Sequence, residues 1–411
     1  MPAFAAGGAQ RPRWGFIALL GAASGLSAFG MASVVPMLPQ LERALDTDFA
    51  TLQFVVSAYL LGLGLFQPVQ GVLCDRFGRR PVLLGGFSVF LVASLLASIA
   101  PSLPLLVLAR WLQAMGASVA TVVTRAIVRD SYEPEPAAVA LAFITAVMGL
   151  SPVVAPLVGG VVSAALGWRA VFWMHAAMAA LLLALIFVRL RETRPAGSRP
   201  MSFGELLQGF GRLLRERRFL GYSLTYSFVS GASFIFITVG AALFERLFGM
   251  TAAQFGTLWA AFAGCYVLGA ASAGALSRRY GTRRVARAGI TLNLLAAGVF
   301  GVAALWPEPR LAAFVGALAL QSTSNGLVSP LALAGAVGDH PSSAGMAAGL
   351  SSSIAMLVSM GCAMLTGIVY DGRASTTAIP LVLACVAAWF ALRTALAGED
   401  AVADPPPAGR R

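Results

Sequence analysis

The sequence predicts an all-α integral membrane protein, with twelve transmembrane helices in two six-helix, pseudo-symmetric bundles. Three observations carry that prediction. The 411 residues are 58% hydrophobic and 11% charged, with a mean hydropathy of +0.81, more apolar than a soluble core requires. The charges sit in short segments between long uncharged runs, which have span length for helices and are too long for barrel strands. A charged turn, GVLCDRFGRR at 71–80, recurs in outline as GALSRRYGTRR at 274–284. Gly71, Leu73, Arg76, Gly78 and Arg80 match Gly274, Leu276, Arg279, Gly281 and Arg283. Two halves with the same turn at corresponding places imply parallel repeats around a central cavity.

The elements follow in order. Residues 1–13 form a cytoplasmic N-terminus, and the uncharged run 14–41 is the first span. That run is too long for a secretory signal core, so an uncleaved span is expected. Residues 49–74 give the second span, and Pro101 and Pro104 divide 81–109 into the third and the start of the fourth. Residues 136–168 and 170–188 complete an N-terminal bundle over 14–189. A cytoplasmic linker, 190–218, follows. In it Phe203, Leu206, Leu207, Phe210, Leu213 and Leu214 share one helical face, and Ser202 with Glu205 fits a capping box. Its basic residues suit an interfacial helix on anionic lipid. The C-terminal bundle, 219–394, holds spans at 219–244, 247–277, 288–307, 311–338, 340–370 and 374–392. The polar end, 395–411, reads as a disordered cytoplasmic tail.

The net charge is +12, and all 29 basic residues are arginine. Arg43, Arg169, Arg246, Arg310 and Arg373 fall on one side of the spans, Arg110 falls within the fourth, and every other arginine falls on the opposite side. This bias places both termini in the cytoplasm. It accounts for the charge as topology, so no nucleic-acid partner is implied. The absence of lysine excludes a phosphate-binding loop of the G-x-x-x-x-G-K type and Schiff-base chemistry. Two distant histidines, His175 and His340, and four unpaired cysteines give no metal site, no disulfide framework and no cofactor. The spans hold no cluster of carboxylates, histidines or nucleophiles, so no enzyme activity is expected.

Within 71–80, Gly71 and Gly78 suit a tight turn and close helix approach, and Arg76, Arg79 and Arg80 anchor at the headgroups. Asp75 stands opposite Arg278 in the repeat, so the acid is present in one copy only. Its expected partner is the start of the eleventh helix, PSSAGMAAG, where Ser342 or Ser343 can cap and free N–H groups attract a carboxylate. Arg79 or Arg80 can also pair with Asp130 after the fourth helix. Such contacts would latch the halves in an outward-open state. Arg110 lies about seven residues into its span, a depth at which a charge needs a wet cavity or a polar partner, and Gln113 is one turn away. In MGLSPVVAPLVGGVV, Pro152, Pro156, Gly159 and Gly160 would distort the fifth span and flatten one face for a neighbour; Gly345 and Gly349 offer a similar face in the eleventh.

With these residues in view, the chain resembles the major facilitator superfamily over nearly its whole length. Residues 71–80 resemble the family's signature between helices two and three. Arg110-Trp-Leu-Gln113-Ala-Met-Gly116 resembles its helix-four motif, which implies proton coupling through Arg110 and Gln113. Ala155-Pro156-Leu-Val-Gly159-Gly160 resembles the helix-five antiporter motif, which implies export. RAIVRD at 125–130, Gly167-Trp168-Arg169 and SGASFIF at 230–236 are similar to drug/proton antiporters of the bicyclomycin and chloramphenicol resistance type. Those proteins commonly carry an acid in helix one just before P-x-x-P; here Met31-Ala32-Ser33 precedes VVPMLP. No Asp or Glu lies deep in any span, leaving Arg110, Asp75 and His175 for coupling. The resemblance implies a monomeric exporter in a bacterial inner membrane, working by alternating access with protons as partner. An exporter or importer of a metabolite such as a sugar, amino acid or siderophore is the alternative. A cavity without carboxylates suits neutral or weakly anionic amphipathic molecules, and span phase puts Tyr59, Gln67, Gln113, Tyr226, Phe234 and Asn325 on its wall.

Overall fold

The computed structural model describes residues 13–194, 202–338 and 344–403. Most of those residues are helical, with no strand among them. The first half comprises α1 (Trp14–Ala32), a 3-10 turn (Val35–Met37), α2 (Leu38–Ala44), α3 (Phe49–Phe77), α4 (Arg79–Ser98), α5 (Leu103–Ser131), α6 (Pro134–Leu166) and α7 (Trp168–Arg189). A linker helix, α8 (Phe203–Leu213), leads to α9 (Arg217–Phe248), α10 (Ala252–Tyr280), α11 (Thr282–Leu305), α12 (Leu311–Val337), α13 (Ala344–Val369) and α14 (Ala374–Ala403). Among the described residues, eleven helices have the length and hydropathy of a span, and twelve when the two parts of α6 count as one. Those parts, Glu135–Ser151 and Val154–Leu166, meet at 41°, at a break that contains Pro152, whose missing N–H opens the helical ladder.

The expected boundaries shift at two places. The turn at 71–80 is almost wholly helical, because α3 runs to Phe77 and α4 starts at Arg79. Gly78 alone makes the turn, at a φ of +94° that a side chain resists. Gly281 repeats it at +85° between α10 and α11. At the other end, α14 continues to Ala403, so the tail expected from 395 begins as helix. The segments 1–12 and 404–411, and the expected caps Ser342 and Ser343, lie outside the described residues.

Each half has its own apolar core. One cluster joins α1 and α3 to α7, and others hold α9 to α14 together. Small residues set the crossings, because lipid offers no hydrophobic drive and close packing must supply the contact. Gly86 and Gly116 bring α4 and α5 backbone to backbone: a Cβ on Gly116 would lie 2.5 Å from the Gly86 carbonyl oxygen. The halves meet along α3 with α13 and α6 with α10. Gly64 faces Leu357, and Gly367 receives Gln53. Phe234 of α9 joins the core of the first half.

The linker helix carries the expected capping box, with Ser202 Oγ accepting from Glu205 N at 3.1 Å and Glu205 accepting from Ser202 N at 2.8 Å. Only part of its apolar face is covered. Leu206 and Leu213 are buried, while Phe203, Leu207 and Leu214 are exposed.

Candidate functional site

The turn around Gly78 is held by carboxylates from two other elements. Arg79 is buried, and its Nε sits 2.8 Å from Asp130 Oδ2 at the end of α5. Its Nη1 donates to the Cys74 carbonyl at 3.1 Å and lies 3.2 Å from Asp75. Asp75 therefore has its partner one turn along its own chain, within the first half. Glu192, just after α7, completes the arrangement. Its carboxylate accepts from the backbone N–H of Arg79 at 2.9 Å and of Arg80 at 3.1 Å, the free donors at the start of α4. It also accepts from Thr193 N and Arg194 N. Partial burial by itself would raise the Glu192 carboxyl; the backbone donors Arg194, Arg79, Arg80 and Thr193 outweigh it and hold the pKa below the ordinary 4.5. Arg80 turns outward and donates to the Phe187 carbonyl, and Arg194 donates to that of Arg76. Gly71 has no part in the turn, since it lies inside α3 and a Cβ there would meet nothing.

A second polar group lies inside the first bundle. Arg110 is fully buried, about 10 Å along α5 from its start. Its Nη1 donates to the Gly30 carbonyl at 3.0 Å and to Gln113 Oε1 at 2.6 Å, and its Nε donates to the Val55 carbonyl at 3.4 Å. The guanidinium lies over the Tyr59 ring at 4.1 Å, a cation–π contact that replaces part of its hydration. Tyr59 in turn donates to the Ser27 carbonyl at 2.9 Å. Gln113 Nε2 is 2.7 Å from Ser94 Oγ and 3.3 Å from His175 Nδ1, and His175 Nε2 is 2.7 Å from Ser33 Oγ. The rings of Phe29, Phe90 and Phe172 enclose the imidazole. Five spans thus share one polar chain without a carboxylate.

Ser33 joins this chain to α6. Gly159 packs on the Ser33 carbonyl so closely that a Cβ would collide with it, and Gly160 faces Pro36. Gly159 therefore makes a close backbone contact, whereas Gly160 leaves room for a Cβ at ordinary contact distance. Gly349 does not, because a Cβ there would meet nothing, and Gly345 approaches only the Arg129 guanidinium at 4.0 Å.

The expected cavity residues divide. Tyr59 and Gln113 are fully buried in the first bundle, engaged with Arg110, so they are core groups and not cavity wall. Gln67 and Phe234 are nearly covered. Asn325 donates to Ser233 Oγ at 2.7 Å and accepts from Ser329 Oγ. Tyr226 is half-buried on α9. The side chain of Pro152 lies outside the described residues, and Pro156 is half-buried in the second part of α6. Among the described residues, no group of three or more His, Cys, Asp or Glu could hold a metal.

The model of the Major Facilitator Superfamily matches residues 20–363. The chain belongs to that superfamily. Its curated relatives include a chloramphenicol resistance protein of Pseudomonas aeruginosa, 32% identical over 71% of this chain, and a bicyclomycin resistance protein homolog of Haemophilus influenzae, 28% identical over 60%. An uncharacterized MFS-type transporter of Bacillus subtilis is 30% identical over 61%. The chain spans 68%, 62% and 64% of those relatives' own lengths. A bacterial homolog of the human lysosomal transporter Spinster, solved inward-facing and unoccupied, covers 95% of the chain and is itself covered over 99%, with a TM-score of 0.77 at 18% identity. The D-xylose–proton symporter gives 0.73 at 14%. The chain is thus a multi-pass member of that superfamily.

Sequence reasoning placed Arg110 beside Gln113, and Asp130 beside the Arg79–Arg80 pair. It missed Glu192, which reads as one more linker charge in RLRETR. The available signal was an acid close after a span end, at the same membrane face as a helix start that lacks a cap.

Proposed function

We propose that the protein exports small amphipathic molecules, neutral or weakly anionic, across the bacterial inner membrane by proton-coupled antiport. The observation that carries the reading is the buried Arg110 with its carboxylate-free partners, tied through Ser33 to the Gly159 contact of α6. A cation at this depth is retained only where it has work to do. With no acid in it, this polar group offers nothing to a cationic substrate, which favours a neutral or weakly anionic one. The names of the Pseudomonas and Haemophilus relatives, which mention chloramphenicol and bicyclomycin resistance, support drug export.

The chain works as a monomer with both termini in the cytoplasm, the orientation the arginine bias favours. The bundles rock about the α3–α13 and α6–α10 contacts, and the interfacial linker helix joins them. The group of Asp75, Arg76, Arg79, Arg80, Asp130 and Glu192 keeps the end of α3 and the start of α4 rigid, so that this face can latch against the second half.

A growth-inhibition panel in an efflux-deficient host tests the export reading. Expression should raise tolerance to chloramphenicol or bicyclomycin, and energised inverted vesicles should release protons when either is added. No response across neutral, anionic and cationic compounds would remove it. The latch is tested by Asp75→Asn, which should slow transport; an undiminished rate would sink that assignment.

A further inference from the structure

Arg110 fixes the direction of every hydrogen bond that follows it. A guanidinium only donates. The Gln113 atom 2.6 Å from Arg110 Nη1 is therefore its carbonyl oxygen, Oε1, and the amide nitrogen points the other way. Nε2 gives one proton to Ser94 Oγ at 2.7 Å, and Ser94 passes its own to the Phe90 carbonyl. The second Nε2 proton meets His175 Nδ1 at 3.3 Å. That nitrogen must carry a lone pair. The imidazole is then neutral, with its single proton on Nε2, donated to Ser33 Oγ at 2.7 Å.

We propose that His175 binds the transported proton, and that rotation of the Gln113 carboxamide couples that proton to Arg110. The proposal rests on the antiport reading and names the proton site that reading lacks. A proton added at Nδ1 would set two donors, Nδ1–H and Nε2–H, against each other. A half-turn of the carboxamide relieves this by presenting Oε1 to the imidazolium. The same half-turn takes the acceptor from Arg110 Nη1 and offers it a donor instead. Arg110 Nη2 already has no partner among the described residues, so a protonated His175 leaves the guanidinium short of acceptors. Arg110 then moves, or takes an oxygen of the substrate. The Nδ1–H proton and the Gln113 bond to Arg110 exclude each other, which is the condition antiport requires.

The surroundings leave Arg110 as the charge that acts on His175. Helix α1 has no titratable residue. Helix α4 contributes only Arg79 and Arg80, at its start, and α6 contributes Glu135 in its first turn. Helix α5 adds Arg125, Arg129 and Asp130 at its far end, and α7 carries Arg169 and Arg189 at its two ends. Tyr59 of α3 reaches Arg110 and donates to Ser27. The output side is also in place. Ser33 precedes the 3-10 turn Val35–Met37, which contacts both α6 and α9 of the second half. A change at His175 therefore acts on the only break in the first span and on its contact with the other bundle.

The chain has two histidines, so His340→Gln leaves His175 as the sole imidazole. In substrate-free nanodiscs, ring-nitrogen NMR of this ¹⁵N-histidine-labelled protein should show the Nε2–H tautomer at high pH and proton uptake at Nδ1 as the pH falls. Arg110→Gln should raise the midpoint by about one unit or more, by removing the neighbouring charge. Gln113→Glu should raise it too, because a carboxylate accepts from both sides. The Nδ1–H tautomer would overturn the proposal. So would the absence of protonation down to about pH 4 in both the parent and Arg110→Gln, since no physiological proton could then load. In proteoliposomes, His175→Gln should lose substrate-driven proton movement; retained proton movement would also overturn it. If no substrate moves protons with the unmodified protein, the antiport reading fails, whereas the NMR titration decides the proton site without transport.

Discussion

The two halves repeat the same crossing with opposite polar content. In the first, Gly116 of α5 meets Gly86 of α4, and Gln113, one turn before it, is fully engaged with Arg110, Ser94 and His175. In the second, Ser324 of α12 donates to the Gly289 carbonyl of α11 at 2.8 Å, and Gln321 stands one turn before it. Gln321 is buried with neither amide atom partnered among the described residues, and Asn293, one turn beyond Gly289, is the same. The turns differ likewise. A Cβ on Gly78 would lie 2.5 Å from Glu192 Oε2, whereas one on Gly281 would meet nothing. Among the described residues, the two buried arginines, Arg79 and Arg110, both lie in the first half. The proposed proton chemistry therefore lies in the first half.

The sharpest break of this comparison is a pair of leucines. Gln113→Leu should lower stability in detergent by about 2 kcal/mol, since it strips Arg110 and His175 of a buried partner. Gln321→Leu should be neutral or stabilising, since it removes buried amide groups that gain nothing. Equal losses on unfolding would mean the halves do not differ as described.

A smaller contrast is expected at the turns. Gly78→Ala and Gly281→Ala share the penalty of a positive φ with extended ψ, about 1–3 kcal/mol. Only Gly78→Ala also displaces the Glu192 carboxylate from α4, so its midpoint should fall further. Matching midpoints would show that Glu192 moves aside freely.

Glu192→Gln should have the smallest effect, about 0.5 kcal/mol near neutral pH, as expected for an exposed charge at a helix start. Its signature is in the pH dependence. The folded pKa of Glu192 lies below the unfolded one, so its contribution is present above about 4.5 and fades as the pH falls through the folded value. The variant should lose that part of the acid limb in a pH series of unfolding midpoints. An unchanged limb would assign it to other carboxylates.

Local pattern made much of this legible. The uncharged runs gave the spans, the arginines gave the proposed orientation, and i, i+3 spacing put Arg110 beside Gln113. It failed where partners are distant in sequence. His175 and Ser33 are 142 positions apart, and Arg79 and Glu192 are 113 apart. Span phase also assigned Tyr59 and Gln113 to a cavity wall. Polar residues in a span point away from lipid, but phase does not separate a wet cavity from the inside of a bundle.

The sequence by itself determined that this chain crosses the membrane in two repeated halves, because lipid leaves the backbone only helices and charge only the ends of spans. Only the tertiary structure decided what neutralises the cost of Arg110. Its acceptors are carbonyls of Gly30 and Val55, the Tyr59 face and one carboxamide, brought from three spans by small-residue crossings that no local pattern specifies.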